Sequence, residues 1–214
     1  MDFLNFEGRK EFRRFTDPNH PLVTAFREEV CEDNGAPKCW AQKKISHETA
    51  QNELPLVGGS PEDVYRVTQK KWDNYRFETV EAFSINDRII AVSGARAYGP
   101  YLRIFMCHYL LKSFRSKSKG LAWREGGFLD QHIQFALANN YKAVFFSIYP
   151  HNRRLERFVR YLSLKKTNRT KPFLGKFSKV PDYVHFNNID QHIFYHMLAP
   201  TENFDTLWLT QGEV

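Results

Sequence analysis

A basic turn that contains a glycine is the feature of this 214-residue chain with the clearest chemistry. The turn, residues 112–120, reads Lys-Ser-Phe-Arg-Ser-Lys-Ser-Lys-Gly and separates an apolar segment at 101–111 from a helix-like segment at 121–140. A second apolar segment follows at 143–148. Backbone N–H groups at the start of a helix lack partners, and the helix dipole there favours negative charge. The turn is therefore predicted to bind an anion, usually a phosphate.

Positive charge is concentrated around the same turn. Residues 101–172 carry 15 Lys and Arg but only 3 Asp and Glu, a net charge of +12, whereas the rest of the chain has a net charge of −5. Such a field attracts a polyanion, which can be a nucleotide cofactor, a nucleic acid or an acidic partner. Nucleic acid is disfavoured because the basic residues have few aromatic neighbours suited to base stacking. A solvated basic face is the alternative that composition leaves open.

Composition excludes several other classes of protein. The chain is 42% hydrophobic and 15% aromatic, enough for a sizeable core, and has no apolar run long enough to span a bilayer. Without a signal-like first segment, we expect a cytoplasmic protein with no membrane contact. Three cysteines are too few for a disulfide framework. No metal site is expected: Cys31, Cys39 and His47 match no compact zinc pattern, and His192 and His196 lack a third ligand.

The order of predicted elements defines the fold class. Two local signals are strong: Asn86-Asp87 suits a two-residue hairpin turn, and Ser60-Pro61 suits a helix start. The predicted elements are strands at 12–16 and near 39–45, helices at 22–30 and from 60 to about 74, strands at 77–85, 88–97 and 101–111, a helix at 121–140, a strand at 143–148, a helix at 152–162, and a hairpin of 183–186 with 193–198. They predict an α/β (α+β) fold with a mixed, mostly antiparallel twisted sheet of about six to seven strands and helices on both faces.

From about Phe77 to Leu198, this order of elements resembles the GNAT acetyltransferase superfamily. The family signature is a basic residue or Gln, two residues, Gly, one residue, then Gly or Ala, opening a helix after the fourth strand. Lys117-Ser-Lys-Gly-Leu-Ala122 fits this signature, with Lys where Arg or Gln is usual. The second family mark is an Asn after the fifth strand, which Asn152 matches. In an alternative register, Arg124-Glu-Gly-Gly127 would form the turn.

The resemblance implies an acetyl-CoA-dependent N-acetyltransferase that acts on an amine by direct attack. It implies one GNAT-like domain with an N-terminal part at 1–58, a cofactor-binding core at 59–164 and a C-terminal loop and hairpin at 165–214. In the family, the turn holds the pyrophosphate, while an Asn and the end of the fourth strand, which splays from the fifth, bind the pantetheine arm. The implied cofactor-binding residues here are Leu110, Leu111, Lys117, Ser118, Lys119, Gly120, Leu121, Ala122 and Asn152.

The candidate catalytic residues are less sharply defined. His108 on the fourth strand is the first candidate base, and Glu81 is a distant third choice. Tyr149, at the open end of the fifth strand, and Tyr161 are candidate proton donors. Many family members carry a donor Tyr seven residues after the Asn, a position that Val159 occupies here.

A non-catalytic module that binds nucleic acid or another polyanion is therefore kept as the alternative function. The sequence leaves open the acceptor, a small-molecule or peptide amine, and the oligomeric state, a dimer included.

Overall fold

The computed structural model describes residues 7–34, 76–111, 114, 118–123, 125–148, 153, 155–157, 159, 178–179, 184–186, 189–199 and 204–205. The helices with defined bounds are α1 (Pro21–Asn34), α2 (Ser118–Trp123) and α3 (Phe128–Ala138). The strands are β1 (Lys10–Phe15), β2 (Thr79–Ile85), β3 (Arg88–Tyr98), β4 (Tyr101–Leu110), β5 (Ala143–Ile148), β6 (Ser178–Lys179), β7 (Val184–Phe186) and β8 (Ile189–Met197). In the part of the chain that is described, no helix is long and apolar enough to cross a membrane.

The strands form one mixed sheet, as predicted. Their order is β1-β2-β3-β4-β5-β8-β6, and β7 also pairs with β8. β4 and β5 are parallel, whereas β1–β2, β2–β3 and β5–β8 are antiparallel. Among the described residues the sheet has eight strands, where about six to seven were predicted. The additional strand is the two-residue β6, which lies in a segment predicted to be a loop and pairs with Phe194 and Tyr195 of β8.

The chain divides into two compact units, and the first contains residues 1–97 and 104–132. Alternate residues of β1 point to opposite faces of the sheet. Phe12 contacts Phe128 of α3, with ring centroids 5.2 Å apart, whereas Phe15 contacts His20 just before α1, at 4.5 Å. In this unit the two faces of the sheet are therefore covered by different helical segments, in agreement with the predicted architecture.

The second unit contains residues 98–103 and 133–214. Its core is built on β5 and β8, where Phe145 and Ile193 are fully buried. Phe204 packs against this core: its ring stacks on Tyr195 at 4.5 Å and meets Tyr101 at 4.6 Å. Aromatic side chains therefore pack in the cores of both units.

The segment predicted as one helix over 121–140 is two helices. α2 ends at Trp123, α3 begins at Phe128, and between them Gly126 has a φ of +74°. Glycine adopts this left-handed conformation without the steric cost that a Cβ imposes. The prediction of a continuous helix was wrong because it placed Gly126 and Gly127 in a helix interior, where their presence had no explanation.

Replacing Gly126 with alanine is expected to lower the free energy of unfolding by about 1 kcal/mol, because alanine is strained at a positive φ. A Cβ at Gly126 would meet no atom within 4 Å, so the loss has no steric component from neighbours. Urea denaturation measures the change. Gly126→Asn is the matched control and should lose less, since Asn tolerates the left-handed region. An equal or larger loss in the Asn variant would contradict a backbone origin.

Candidate functional site

The predicted cofactor turn lies at the start of α2. Ser118, Lys119 and Gly120 form the first half of this helix, and Leu121 and Ala122 follow with side chains that are 1% and 4% exposed. A helix therefore begins within the motif, three residues before the predicted start at residue 121, and the side chains of its second half, Leu121, Ala122 and Trp123, are all buried. Lys117, the first residue of the motif, lies outside the described residues.

The end of β4 departs from one expectation. Leu110 is the last residue of β4, and Leu111 follows it. The N–H of Leu111 donates to the carbonyl of Ile90 at 3.1 Å, and its carbonyl accepts from the N–H of Phe114 at 3.0 Å. Both backbone groups of Leu111 are thus engaged within the protein. Contrary to expectation, Leu111 has no free backbone N–H to offer a pantetheine arm, because that N–H extends the pairing of β4 with its neighbour β3.

The pairing of β4 with β5 covers the first three residues of each strand, from Tyr101 opposite Ala143 to Arg103 opposite Phe145. β8, in contrast, pairs with all six residues of β5, up to Ile148. The Nη2 of Arg103, 6% exposed, donates to the Oγ of Ser147 at 2.9 Å. A buried guanidinium therefore holds the second half of β5 beside the first half of β4.

A buried polar network lies in the first unit, on the face of the sheet that α3 covers. Arg14, Glu81 and Ser93 are direct neighbours across β1, β2 and β3. The Nε of Arg14 is 2.5 Å from Oε1 of Glu81, whose side chain is 1% exposed. The Oγ of Ser93 lies 2.8 Å from the Nε2 of His132 on α3, and it donates to the carbonyl of Phe105 on β4 at 2.8 Å. The network therefore links the helix to four strands.

The hydrogen bonds of Ser93 assign the proton of His132. Since the single hydroxyl proton of Ser93 is donated to Phe105, the Nε2 of His132 must carry a proton and donate it to the Oγ of Ser93. The Nδ1 of His132 is then an unprotonated acceptor, and it is buried with no hydrogen-bond partner among the described residues. Burial lowers the pKa of His132 to about 3, with a smaller contribution from the positive charge of Arg14. The imidazole is therefore neutral at physiological pH.

Glu81 belongs to this network rather than to an open site. Burial raises the pKa of its carboxyl, and the hydrogen bond and charge of Arg14 oppose that rise without cancelling it. The free energy needed to remove this carboxylate from water exceeds the free energy gained from its ion pair with one partly exposed guanidinium. The ion pair makes Glu81 a structural carboxylate, so it is a poor choice for a base that must reach a substrate.

The predicted catalytic residues fall mostly outside the described part of the chain. For His108 the structure gives the backbone position, within β4. Tyr149, Tyr161 and the cofactor residue Asn152 lie outside the described residues, so their roles stay predictions. Val159, at the position of the family Tyr, is helical and fully buried. It packs in the core, and no proton donor is present at that position.

A second polar cluster, which the sequence did not signal, lies in the second unit. The Nδ1 of His192 is 2.9 Å from Oε2 of Glu156, and the Nζ of Lys179 is 3.6 Å from the other carboxylate oxygen. Burial lowers the pKa of His196, four residues further along β8. Among the described residues no group of side chains could hold a metal ion. The partner of His192 is thus the carboxylate of Glu156, which lies 36 residues earlier in the chain, and spacing alone does not predict this contact.

The element order, the mixed sheet and the helical crossover from β4 to β5 define the fold of the GNAT acetyltransferases. A protein from Desulfovibrio desulfuricans assigned to the GNAT family aligns at a TM-score of 0.53 over 89% of this chain and 100% of that one, with 13% identity. An acetyltransferase from Streptococcus agalactiae aligns at 0.50 over 90% and 100%, with 12% identity.

A third solved structure of this fold contains coenzyme A. It is the ribosomal L7/L12 α-N-protein acetyltransferase RimL, which aligns at a TM-score of 0.50 over 88% of this chain and 93% of that one, with 13% identity. No protein-family model matches the sequence, and no curated protein matches it significantly. The structural matches show the fold, and they confirm at that level the resemblance predicted from the sequence.

Proposed function

We propose that the protein is an acetyl-CoA-dependent acyltransferase that transfers an acetyl group to an amine by direct attack. The observation that carries the proposal is the GNAT fold, together with a helix that begins at the motif residues between β4 and β5. A structure of the same fold in complex with coenzyme A supports the cofactor. That relative acts on the α-amino group of a ribosomal protein, which supports a peptide or protein amine as one class of acceptor.

The turn at 117–122 is the better of the two candidate pyrophosphate sites. In the alternative turn at 124–127, the N–H of Gly126 is already bonded to Oδ2 of Asp130 at 2.7 Å. A carboxylate at that point repels a phosphate and satisfies the donor that the phosphate needs. The turn at 117–122 instead adds the charges of Lys117 and Lys119. Leu110, at the end of β4, remains the proposed contact for the pantetheine arm.

The chemistry would demand little of the side chains. When bound, acetyl-CoA would supply the activated acyl group. His108 would accept a proton from the attacking amine, and Tyr149 or Tyr161 would return one to the departing sulfur. Asn152 would orient the pantetheine arm, since correct placement supplies much of the rate in such transfers. No observation on the described residues favours the alternative of a nucleic-acid-binding module.

Binding of acetyl-CoA tests the proposal. The natural chain should bind acetyl-CoA in calorimetry and show a higher thermal midpoint in its presence, whereas Gly120→Glu should bind at least tenfold more weakly because a carboxylate would face the pyrophosphate. Leu137→Glu is the matched control: it adds the same charge at an exposed position of the same crossover and should keep the affinity. Absence of binding by the natural chain at millimolar acetyl-CoA would overturn the proposal.

A further inference from the structure

We propose that Asp130 and His132 are positioning residues. They hold residues 125–127, called here the joint between α2 and α3, in a single arrangement. The consequence for the cofactor rests on the proposed function, because α2 carries the proposed pyrophosphate turn. The positioning role itself follows from contacts at the start of α3, all within the first unit.

Three consecutive residues at the start of α3 make polar contacts in three directions. Oδ2 of Asp130 accepts from the N–H of Gly126 at 2.7 Å. The carbonyl of Gln131 accepts from Nη2 of Arg14 on β1 at 3.1 Å. The Nε2 of His132 bonds to the Oγ of Ser93 on β3 at 2.8 Å. The side chains of Asp130 and His132 point about 200° apart around the helix, and the carbonyl of Gln131 points along its axis, so the three contacts restrain the helix in different directions.

Asp130 ties the helix to the turn that precedes it. The N–H of Gln131 donates to the carbonyl of Gly127 at 3.1 Å, which makes Gly127 the N-cap and Asp130 the third helical residue. In a capping box the side chain at this position reaches back to the backbone N–H of the N-cap. Asp130 reaches one residue further, to Gly126, whose positive φ turns the chain there. The carboxylate thus fixes Gly126 against the first turn of α3.

His132 ties the same helix turn to the sheet. Its side chain and that of Ser93 are fully buried, and Ser93 also bonds the backbone of β4 at Phe105. Buried hydrogen bonds of this kind fix one geometry because any displacement leaves polar groups unpaired in a medium of low dielectric. α2 has six residues, too few to be stable by itself, so its placement depends on the packing of its buried side chains and on what holds its ends. The hydrogen bonds of Asp130 and His132 therefore connect the joint, which leads into α2, to the first turn of α3 and to β3.

Amide hydrogen exchange on the unliganded protein tests the positioning role without any ligand. Asp130→Ala should accelerate exchange at residues 118–127 about tenfold or more, while residues 133–138 keep their protection. Asp130→Asn, which retains an acceptor oxygen, should restore most of the protection. Asn139→Ala is the matched control, since it removes a side-chain hydrogen bond to the carbonyl of Phe135 at the other end of α3. It should leave residues 118–127 unchanged.

Acetyl-CoA affinity, measured by calorimetry on the same variants, tests the consequence for the cofactor. Asp130→Ala should bind about tenfold more weakly and Asp130→Asn within about threefold of the natural chain, in line with the loss of one charge-assisted bond. Ser93→Ala keeps His132 and is the mild variant for the sheet contact; it should accelerate exchange at 125–132. Unchanged exchange in both Asp130→Ala and Ser93→Ala overturns the inference. A natural chain that binds no acetyl-CoA overturns the proposed function instead, and the exchange result still decides the positioning role.

Discussion

Lowering the pH from 7 to 4 is expected to reduce the free energy of unfolding by about 3 kcal/mol through His132 alone. In the unfolded chain the imidazole binds a proton below about pH 6.5, whereas burial holds the pKa of His132 at about 3 in the folded protein. Between these values only the unfolded chain gains the proton, so acid favours unfolding. The contribution is fully present above pH 6.5 and is lost as the pH falls toward 3.

Urea denaturation at several pH values isolates this contribution. His132→Gln removes the titrating group, so the difference in unfolding free energy between the natural chain and the variant should shift by about 3 kcal/mol, in favour of the variant, from pH 7 to pH 4. Parallel curves for the natural chain and His132→Gln would show that the folded protein accepts the proton, contrary to the buried environment described here.

Replacing Arg14 with methionine is expected to destabilise the protein by about 3 kcal/mol at pH 7, because it leaves a carboxylate buried without its cation. Glu81 is 1% exposed, and burial already raises its pKa in the presence of Arg14. Without Arg14, the neutral acid is the form that the site tolerates. The unfolded chains titrate alike, so the loss should be largest at high pH and should shrink as the pH falls through the raised pKa of Glu81 in the folded protein.

The double variant Arg14→Met/Glu81→Leu separates the lost charge from lost packing. Replacing both partners with apolar groups removes the unpaired carboxylate, so this variant should recover most of the stability. Arg13→Met, on the neighbouring exposed position of β1, is the control and should change the free energy of unfolding by less than about 0.5 kcal/mol. A double variant as unstable as Arg14→Met alone would assign the loss to packing against α3.

Local signals predicted the strands and turns of the first hairpin closely. Asn86 and Asp87 were chosen as a turn because both tolerate positive φ, and they have φ values of +48° and +65°. The strands on either side and β5 also lie within one or two residues of their predicted bounds. Apolar alternation and turn chemistry are properties of neighbouring residues, so they can be recognised in the sequence alone.

Where two local features competed, the sequence was not enough. The apolar pattern over residues 121–140 favoured one helix, and the glycines at 126 and 127 argued against it. The structure resolves the competition because the carboxylate of Asp130 holds the N–H of Gly126 and the turn can close there. The backbone N–H of Leu111 likewise has a partner that the local sequence does not reveal, because the carbonyl it bonds belongs to Ile90 on β3.

Periodicity, turn residues and one short motif were enough to predict the fold class, most of the strand order among the described residues and a helix at the motif after β4. They could not predict which polar side chains meet. Ser93 and His132 are 39 residues apart, and Glu81 and Arg14 are 67 apart. No spacing rule connects such residues: strand register and the docking of α3 bring them together, and burial then sets their protonation.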